Sequence, residues 1–557
     1  MPKEGMRFAE PMTAKITSEF DPDLGRPDAR GILEPEYAQK IGDDSKAQRV
    51  AVIVNHGMGE QVPYQTIEGV AKAVWRGVKE HGGTTASHPL IRRVRLGIKG
   101  EDDVESELVR AEVLIAREEQ NYNVHIYEAY WAPLTEGRVS LTDVMQFLFN
   151  AGWNGFWNTG ARKFRRWMFR NEQIFKLPKF KLLAILTVLM LLLLALVIVN
   201  AVLAAAASSH AIGASKTFPG DATAALTSDL MVADFAALLI ILATVLLPSL
   251  YKKATQKALP HWLCWLCWLL VVLGAGLILL AAFLMPLQLS GCHPEDNLWP
   301  AIVTWAAMSG GGHEFLVTLF WGLELAAAYG ARWFLVEFVG DVTAYIAAHT
   351  ASKFYELRQQ IWKTAMKVAR AVYRAKEEQE SGSTQNSRFL YDKIIVVGHS
   401  LGSVIGYDVL NGLLLEDEFS KDPLKVVSRT RMFLTFGSPL DKTAFLFRTQ
   451  ADMCSPVREV AAAAVQPMIQ DYDHRPEEWV NLYSKSDIIS GALDYYDTPD
   501  KHDKKGNALI PVPPVPPAMR KPVNNLRDPD ARTPLAAHVE YWDGELFASE
   551  LVRGITT

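Results

Sequence analysis

Gly398-His399-Ser400-Leu401-Gly402 lies between the run Lys393-Ile394-Ile395-Val396-Val397 and the run Ser403-Val404-Ile405-Gly406-Tyr407-Asp408-Val409-Leu410. The first is a β-branched apolar stretch of strand length, and the second has the composition of a buried helix. A sharp strand-to-helix turn holds its serine above the sheet edge at a helix N-terminus. Glycine stands two residues to either side because a Cβ there would block the passing backbones. The N–H of Leu401, in the first turn of the helix, is placed to meet developing negative charge. The five-residue pattern alone also occurs in glycine-rich surface turns; the strand before it and the helix after it make Ser400 a candidate nucleophile.

With these residues the chain resembles the α/β-hydrolase superfamily, and more narrowly its lipase and esterase branches. The resemblance implies an α/β fold with a mostly parallel, doubly wound sheet, and it implies three further site components. One is an oxyanion loop after an early buried strand. Arg49-Val50-Ala51-Val52-Ile53-Val54-Asn55 is such a strand, and His56-Gly57-Met58-Gly59-Glu60-Gln61 follows it. This segment looks like the His-Gly loop of bacterial lipases, which implies that the Met58 N–H is an oxyanion donor and that Gly57 and Gly59 permit close backbone approach. The other two components are an acid and a histidine, expected in the order Ser, Asp or Glu, His. Asp487 follows the strand-like Trp479-Val480-Asn481-Leu482-Tyr483, and Asp494, Asp497 and Asp441 compete with it. Ala537-His538-Val539-Glu540-Tyr541-Trp542 resembles the His-x-x-Tyr-Trp ending of several lipase-like enzymes, so His538 is the candidate base. His474 and His502 lie among polar neighbours and read as loop residues.

A serine hydroxyl is a poor nucleophile near neutral pH. An imidazole must take its proton, and a carboxylate must fix that imidazole's tautomer. The expected roles are nucleophile for Ser400, base for His538, orienting acid for Asp487, and oxyanion donors for Met58 and Leu401. His56, Gly57, Gly59, Gly398, His399 and Gly402 support them. This chemistry calls for no metal and no organic cofactor.

The chain has 557 residues, 49% of them hydrophobic, which is high for a soluble enzyme. A net charge of -5 gives no basic field for nucleic acid. Four cysteines cannot scaffold a chain of this length, and Cys264 and Cys267, inside an apolar run, read as helix residues rather than a zinc pair. Residues 1–48 form a polar leader without the apolar core of a signal peptide.

Apolar stretches at 182–206, 231–250, 262–287 and 301–331 each reach the roughly 20 residues a bilayer crossing takes. Lys and Arg crowd residues 162–181, and three lysines lie within 251–261, whereas the intervening loops hold one lysine or none. This alternation predicts four spans with both flanks cytoplasmic. An even number is also needed if the two flanks share one sheet. The expected architecture is therefore a polar leader (1–48), a first hydrolase half (49–160), a transmembrane insertion (161–339) and a second half (340–557), as an integral multi-pass protein of a plasma or inner membrane. The expected partners are the bilayer and a lipid or other ester, and lipid esters are favoured because a tethered site meets them at high effective concentration. The other readings are a thioesterase or acyltransferase, a membrane scaffold or sensor with an inactive hydrolase-like domain, and, more remotely, a transporter.

Overall fold

The structure, a computed structural model, describes residues 47–58, 62–80, most of 85–96 and 106–147, 164–168, 171–175, parts of 250–276, 345, 352–379, 386–443, 468, and 472–557 except 488, 498–520 and 534–535. Strand β1 (Gln48–Asn55) is its centre. Val50 to Val54 are buried on both faces, which suits an unbroken β-branched run in the interior of a parallel sheet. Alternate side chains serve two cores. Val50, Val52 and Val54 pack on one side and Ala51 and Ile53 on the other.

β2 (Thr85–Ala86), β3 (Leu90–Leu96), β4 (Ser106–Ala116) and β5 (Tyr122–Ala129) follow in the chain. Two hairpins, β6 (Phe164–Met168) with β7 (Asn171–Phe175) and β8 (Lys376–Gln379) with β9 (Asn386–Phe389), stand outside the main sheet. β10 (Lys393–His399), β11 (Thr430–Phe436), β12 (Glu478–Tyr483) and β13 (Val523–Arg527) complete it. The sheet has nine strands in the order β13-β12-β11-β10-β1-β5-β4-β2, with β3 also on β4. From β13 to β5 every pairing is parallel, and β4, β3 and β2 are joined antiparallel. The two distant stretches of sequence therefore share one sheet, with Asn55 beside Gly398. On one side of β1 the strands follow outward in chain order, β10 to β13, and on the other the chain returns inward from β2 through β4 to β5, so the turn after β10 and the loop after β1 stand together at the carboxyl ends of neighbouring parallel strands.

Helices cover both faces. α1 (Gln65–Glu80) lies against α6 (Glu545–Thr556) on the Val50–Val52–Val54 side. On the other side α2 (Ser352–Arg374) lies against α3 (Leu401–Phe419). The stripe Leu357, Ile361, Ala365, Val368 and Val372 of α2 is buried there, as a helical period of 3.6 requires. Two one-turn helices, α4 (Val426–Arg429) and α5 (Ala537–Glu540), precede β11 and α6. At the turn from β10 into α3 a Cβ on Gly402 would stand 2.1 Å from the Asn55 carbonyl oxygen, and one on Gly398 would stand 2.5 Å from the Ser403 Cα. Glycine is the one residue type that fits either place.

The fold class is thus α/β with a mixed sheet, and the expected transmembrane insertion requires correction. Among the described residues no helix is long and apolar enough to cross a membrane. The long described helices fail on charge: α2 carries Lys353, Glu356, Arg358, Lys363, Lys367, Arg370 and Arg374, and α3 carries Asp408, Glu416, Asp417 and Glu418. Within the expected third span, residues 262–270, 272–274 and 276 are helical. The remaining parts of the expected spans, and the basic approach near 176–181, lie outside the described residues. An integral multi-pass location with cytoplasmic flanks is not supported.

Candidate active site

Ser400 joins β10 to α3 with φ 52° and ψ −128°, a backbone conformation that a non-glycine residue adopts only under constraint. The constraint is visible. Its N–H donates to the Phe436 carbonyl at 3.1 Å, and its own carbonyl accepts the Ser403 N–H at 2.9 Å and the Ser403 hydroxyl at 2.5 Å. The turn thus turns the side chain toward the carboxyl edge of the sheet, where β11 and β12 end beside it.

His538 Nε2 lies 2.8 Å from Ser400 Oγ, and its Nδ1 lies 3.0 Å from Asp487 Oδ2. An ionised carboxylate only accepts, so Nδ1 carries the hydrogen and Nε2 presents its lone pair to the serine hydroxyl. Asp487 is buried in the loop after β12, and its Oδ1 accepts the Ile489 N–H at 2.9 Å. Burial pushes its carboxyl upward, but the hydrogen bond and charge of His538, together with the Ile489 N–H, outweigh that and hold it down at about 2.

The base sits on a single helical turn that cannot hold itself. Glu540 of that turn accepts the N–H groups of Arg532 and Thr533 and the Thr533 hydroxyl, which fixes α5 to the loop after β13. On the other side His399 Nε2–H donates to the His538 carbonyl at 2.9 Å. The His399 ring also packs against Phe436, Trp542 and the His538 imidazole. Burial, and then the neighbouring His538, lower His399 to about 3, so it is a neutral donor at working pH.

The loop after β1 meets the serine from the opposite side. A Cβ on Gly57 would be 3.0 Å from the Ser400 Cβ, so the loop backbone runs directly against the nucleophile. His56 locks it there. The Trp131 N–H donates to His56 Nε2 at 3.0 Å, His56 Nδ1–H donates to the Gly57 carbonyl at 2.8 Å, and the imidazole stacks on the Trp131 ring. A trans peptide directs its carbonyl and its N–H to opposite sides, so anchoring the Gly57 carbonyl also sets the direction of the Met58 N–H. Met58 packs partly buried against the core, and Leu401 begins α3 with an N–H that no turn of its own helix can accept. Gly59 lies outside the described residues.

The competing acids are placed elsewhere. Asp441 pairs with Lys442, Asp497 pairs with Arg475 at 2.6 Å, and Asp494 accepts from Asn525. His474 lies in the turn before β12, and His502 lies outside the described residues. Among the described residues no group of three His, Cys, Asp or Glu side chains could hold a metal ion. Sequence reasoning assigned no role to Tyr541, whose hydroxyl donates to Asp487 Oδ2 at 3.1 Å, or to Trp131. The His-x-x-Tyr spacing was the available signal for the first; a backbone N–H such as that of Trp131 leaves none.

No family model, no curated protein and no solved structure matches this chain. The resemblance to hydrolases and lipases therefore rests on the motifs quoted above, without support from any relative.

Buried neutral histidines make the fold acid-sensitive. Burial lowers His56 to about 4 and His399 to about 3, and it drives His125, which bonds Tyr391 under α2, well below the ordinary value. In the unfolded chain each titrates near 6.5, so between those limits the unfolded state binds more protons and stability rises with pH. The contribution is fully present above about pH 6.5 and is lost as pH falls toward 4, at up to about 1.4 kcal/mol per pH unit for each histidine. Urea midpoints measured from pH 7 to pH 4 are expected to fall steadily; a flat profile would contradict the neutral burial of these rings.

Proposed function

We propose that this protein is a serine-dependent hydrolase of carboxylic esters. The observation that carries the reading is the continuous relay of Asp487 to His538 to Ser400 at 3.0 and 2.8 Å, on a serine held in a strained turn. Ser400 Oγ attacks the ester carbonyl carbon while His538 Nε2 takes its proton, and the Nδ1–H bond to Asp487 stabilises the imidazolium. The carbonyl electron pair moves onto oxygen, which the N–H groups of Met58 and Leu401 receive. Collapse expels the alcohol, which takes the proton from His538. Water then repeats the sequence on the acyl-serine and releases the acid. No step requires a cofactor.

The preference for lipid esters rested on placement in a bilayer and is not carried forward, so the substrate class is the carboxylic ester. A fluorophosphonate probe tests the reading. It is expected to label the protein on the peptide containing Ser400, and a panel of nitrophenyl esters is expected to be turned over. Folded protein that resists the probe and leaves the panel intact would favour a scaffold or sensor with a silent site.

A further inference from the structure

We infer that Tyr541 is a positioning residue that governs how strongly Asp487 acts on His538, by sharing the same carboxylate oxygen. The inference rests on the proposed reading of Ser400, His538 and Asp487. Asp487 Oδ1 accepts the Ile489 N–H, while His538 Nδ1–H at 3.0 Å and the Tyr541 hydroxyl at 3.1 Å share Oδ2, and the Ser490 hydroxyl also helps to hold the carboxylate ionised. Two donors on one oxygen compete for its charge, and each weakens the hold of the other.

The hydroxyl cannot turn away. Tyr541 is fully buried, with its ring edge-on to Phe436, and its oxygen lies 2.9 Å from Ser490 Oγ. With the Tyr541 hydrogen on the carboxylate, the Ser490 hydroxyl faces both the phenol oxygen and Asp487, and the Ser484 N–H donates to Ser490 Oγ at 3.3 Å. Ser484, Ser490 and Tyr541 thus form one hydrogen-bonded network that ends on the Asp487 carboxylate. Lys442, paired with Asp441, holds the Ser490 carbonyl at 3.1 Å and so anchors the network.

The ionisable groups around His538 come from every neighbouring segment: Asp487 from the loop after β12, His399 from the end of β10, His56 from the loop after β1, Tyr541 from its own segment, and the Lys442–Asp441 pair behind Ser490. His56 and His399 stay neutral down to about 4 and about 3, so they do not titrate across the acid limb of a rate profile near neutrality. Tyr541 stays protonated, because burial and then the Asp487 charge raise it far above its ordinary value. Burial raises Asp441 while the Lys442 charge opposes that rise, and a change at Tyr541 leaves this pair as it is. What a change at Tyr541 alters is therefore the share of the Oδ2 charge left for the imidazolium.

Tyr541→Phe keeps the ring and removes the competing donor. Asp487 then leans fully on His538, protonated His538 is favoured, and the acid limb of kcat/KM moves to higher pH, by about half a unit to one unit. The Nδ1 proton of His538 is expected to move downfield in the NMR spectrum, and its titration to move upward with the limb. Ser490→Ala leaves the Tyr541 hydroxyl in place but removes a donor of the same network, so it is expected to shift both readouts in the same direction by less. KM and the plateau of kcat should stay within about tenfold of wild type. A folded Tyr541→Phe protein whose Nδ1 resonance and titration do not move, or move the other way, overturns the inference and leaves Tyr541 a packing residue. If that variant does not fold, an unmoved resonance in Ser490→Ala overturns it equally. Because the resonance is read without turnover, a wild-type protein that shows these shifts yet neither hydrolyses esters nor takes up the probe would sink the esterase reading alone.

Discussion

Ser400→Ala is expected to lower kcat for ester hydrolysis by about 10⁴- to 10⁶-fold and to abolish fluorophosphonate labelling, with KM little changed. The alanine has no atom to form the acyl-enzyme, and His538 then has no proton to take. Binding groups remain, which is why the loss falls on turnover. The thermal midpoint should stay close to wild type, because alanine meets the strain at φ 52° about as serine does and the turn's bonds are made by backbone groups and by Ser403. Steady-state kinetics with a chromogenic ester decide the matter. Retention of more than about a hundredth of the wild-type rate would remove Ser400 from the nucleophile's role.

The second large effect falls on the acid. Asp487→Asn nearly preserves shape but replaces an acceptor with an amide whose NH2 can donate. Facing His538 Nδ1, that amide favours the tautomer with hydrogen on Nε2, which points a donor at Ser400 Oγ and leaves no lone pair to receive its proton. A loss of about 10⁴-fold in kcat is expected near neutrality, with KM again little moved. The variant should also lose a stability contribution. The Asp487 carboxyl sits at about 2, below its unfolded value near 3.9, so its contribution is present above that unfolded value and disappears as pH falls through 2. Wild type and variant should thus differ in urea midpoint at pH 6 and converge toward pH 2. Equal activity in the two proteins would move the orienting role to another carboxylate.

The strands that hold the nucleophile and the loop facing it were legible because β1 and β10 are nearly unbroken β-branched runs, and β12 sets Trp479, Val480, Leu482 and Tyr483 around a single Asn481. The same physics hid the edges. β4 alternates Arg110 and Glu112 with apolar residues, and Arg92 on β3 pairs with Glu112, so neither strand stands out by hydropathy alone. β13, Val523-Asn524-Asn525-Leu526-Arg527, is a polar edge strand that follows a proline-rich stretch. Length of apolar run misled in the middle of the chain. It measures how much surface a segment would hide, and it says nothing about where that surface goes, so the expected crossings found no support among the described helices. Within the site, Ser400 announced itself by its glycines and His538 by its neighbours. Asp487 was the expected acid, yet Asp494, Asp497 and Asp441 competed with it, because the choice depends on which loop end faces His538 across the sheet. The role of Tyr541 was hidden for the same reason, since its partner lies on another strand's loop.

The pairing of β1 with β10 also constrains the order of events at the ribosome. β1 emerges early, and β5 can close one of its flanks soon afterwards, but the flank reserved for β10 stays bare until the chain has grown past Lys393. A naked strand edge is adhesive toward any other extended segment. The nascent protein therefore passes a long interval in which this buried, β-branched strand is half clothed, and any amino-terminal fragment ending before Lys393 inherits that condition. Shielding during translation, by chaperones or by co-produced carboxyl-terminal fragment, follows as a requirement of this topology.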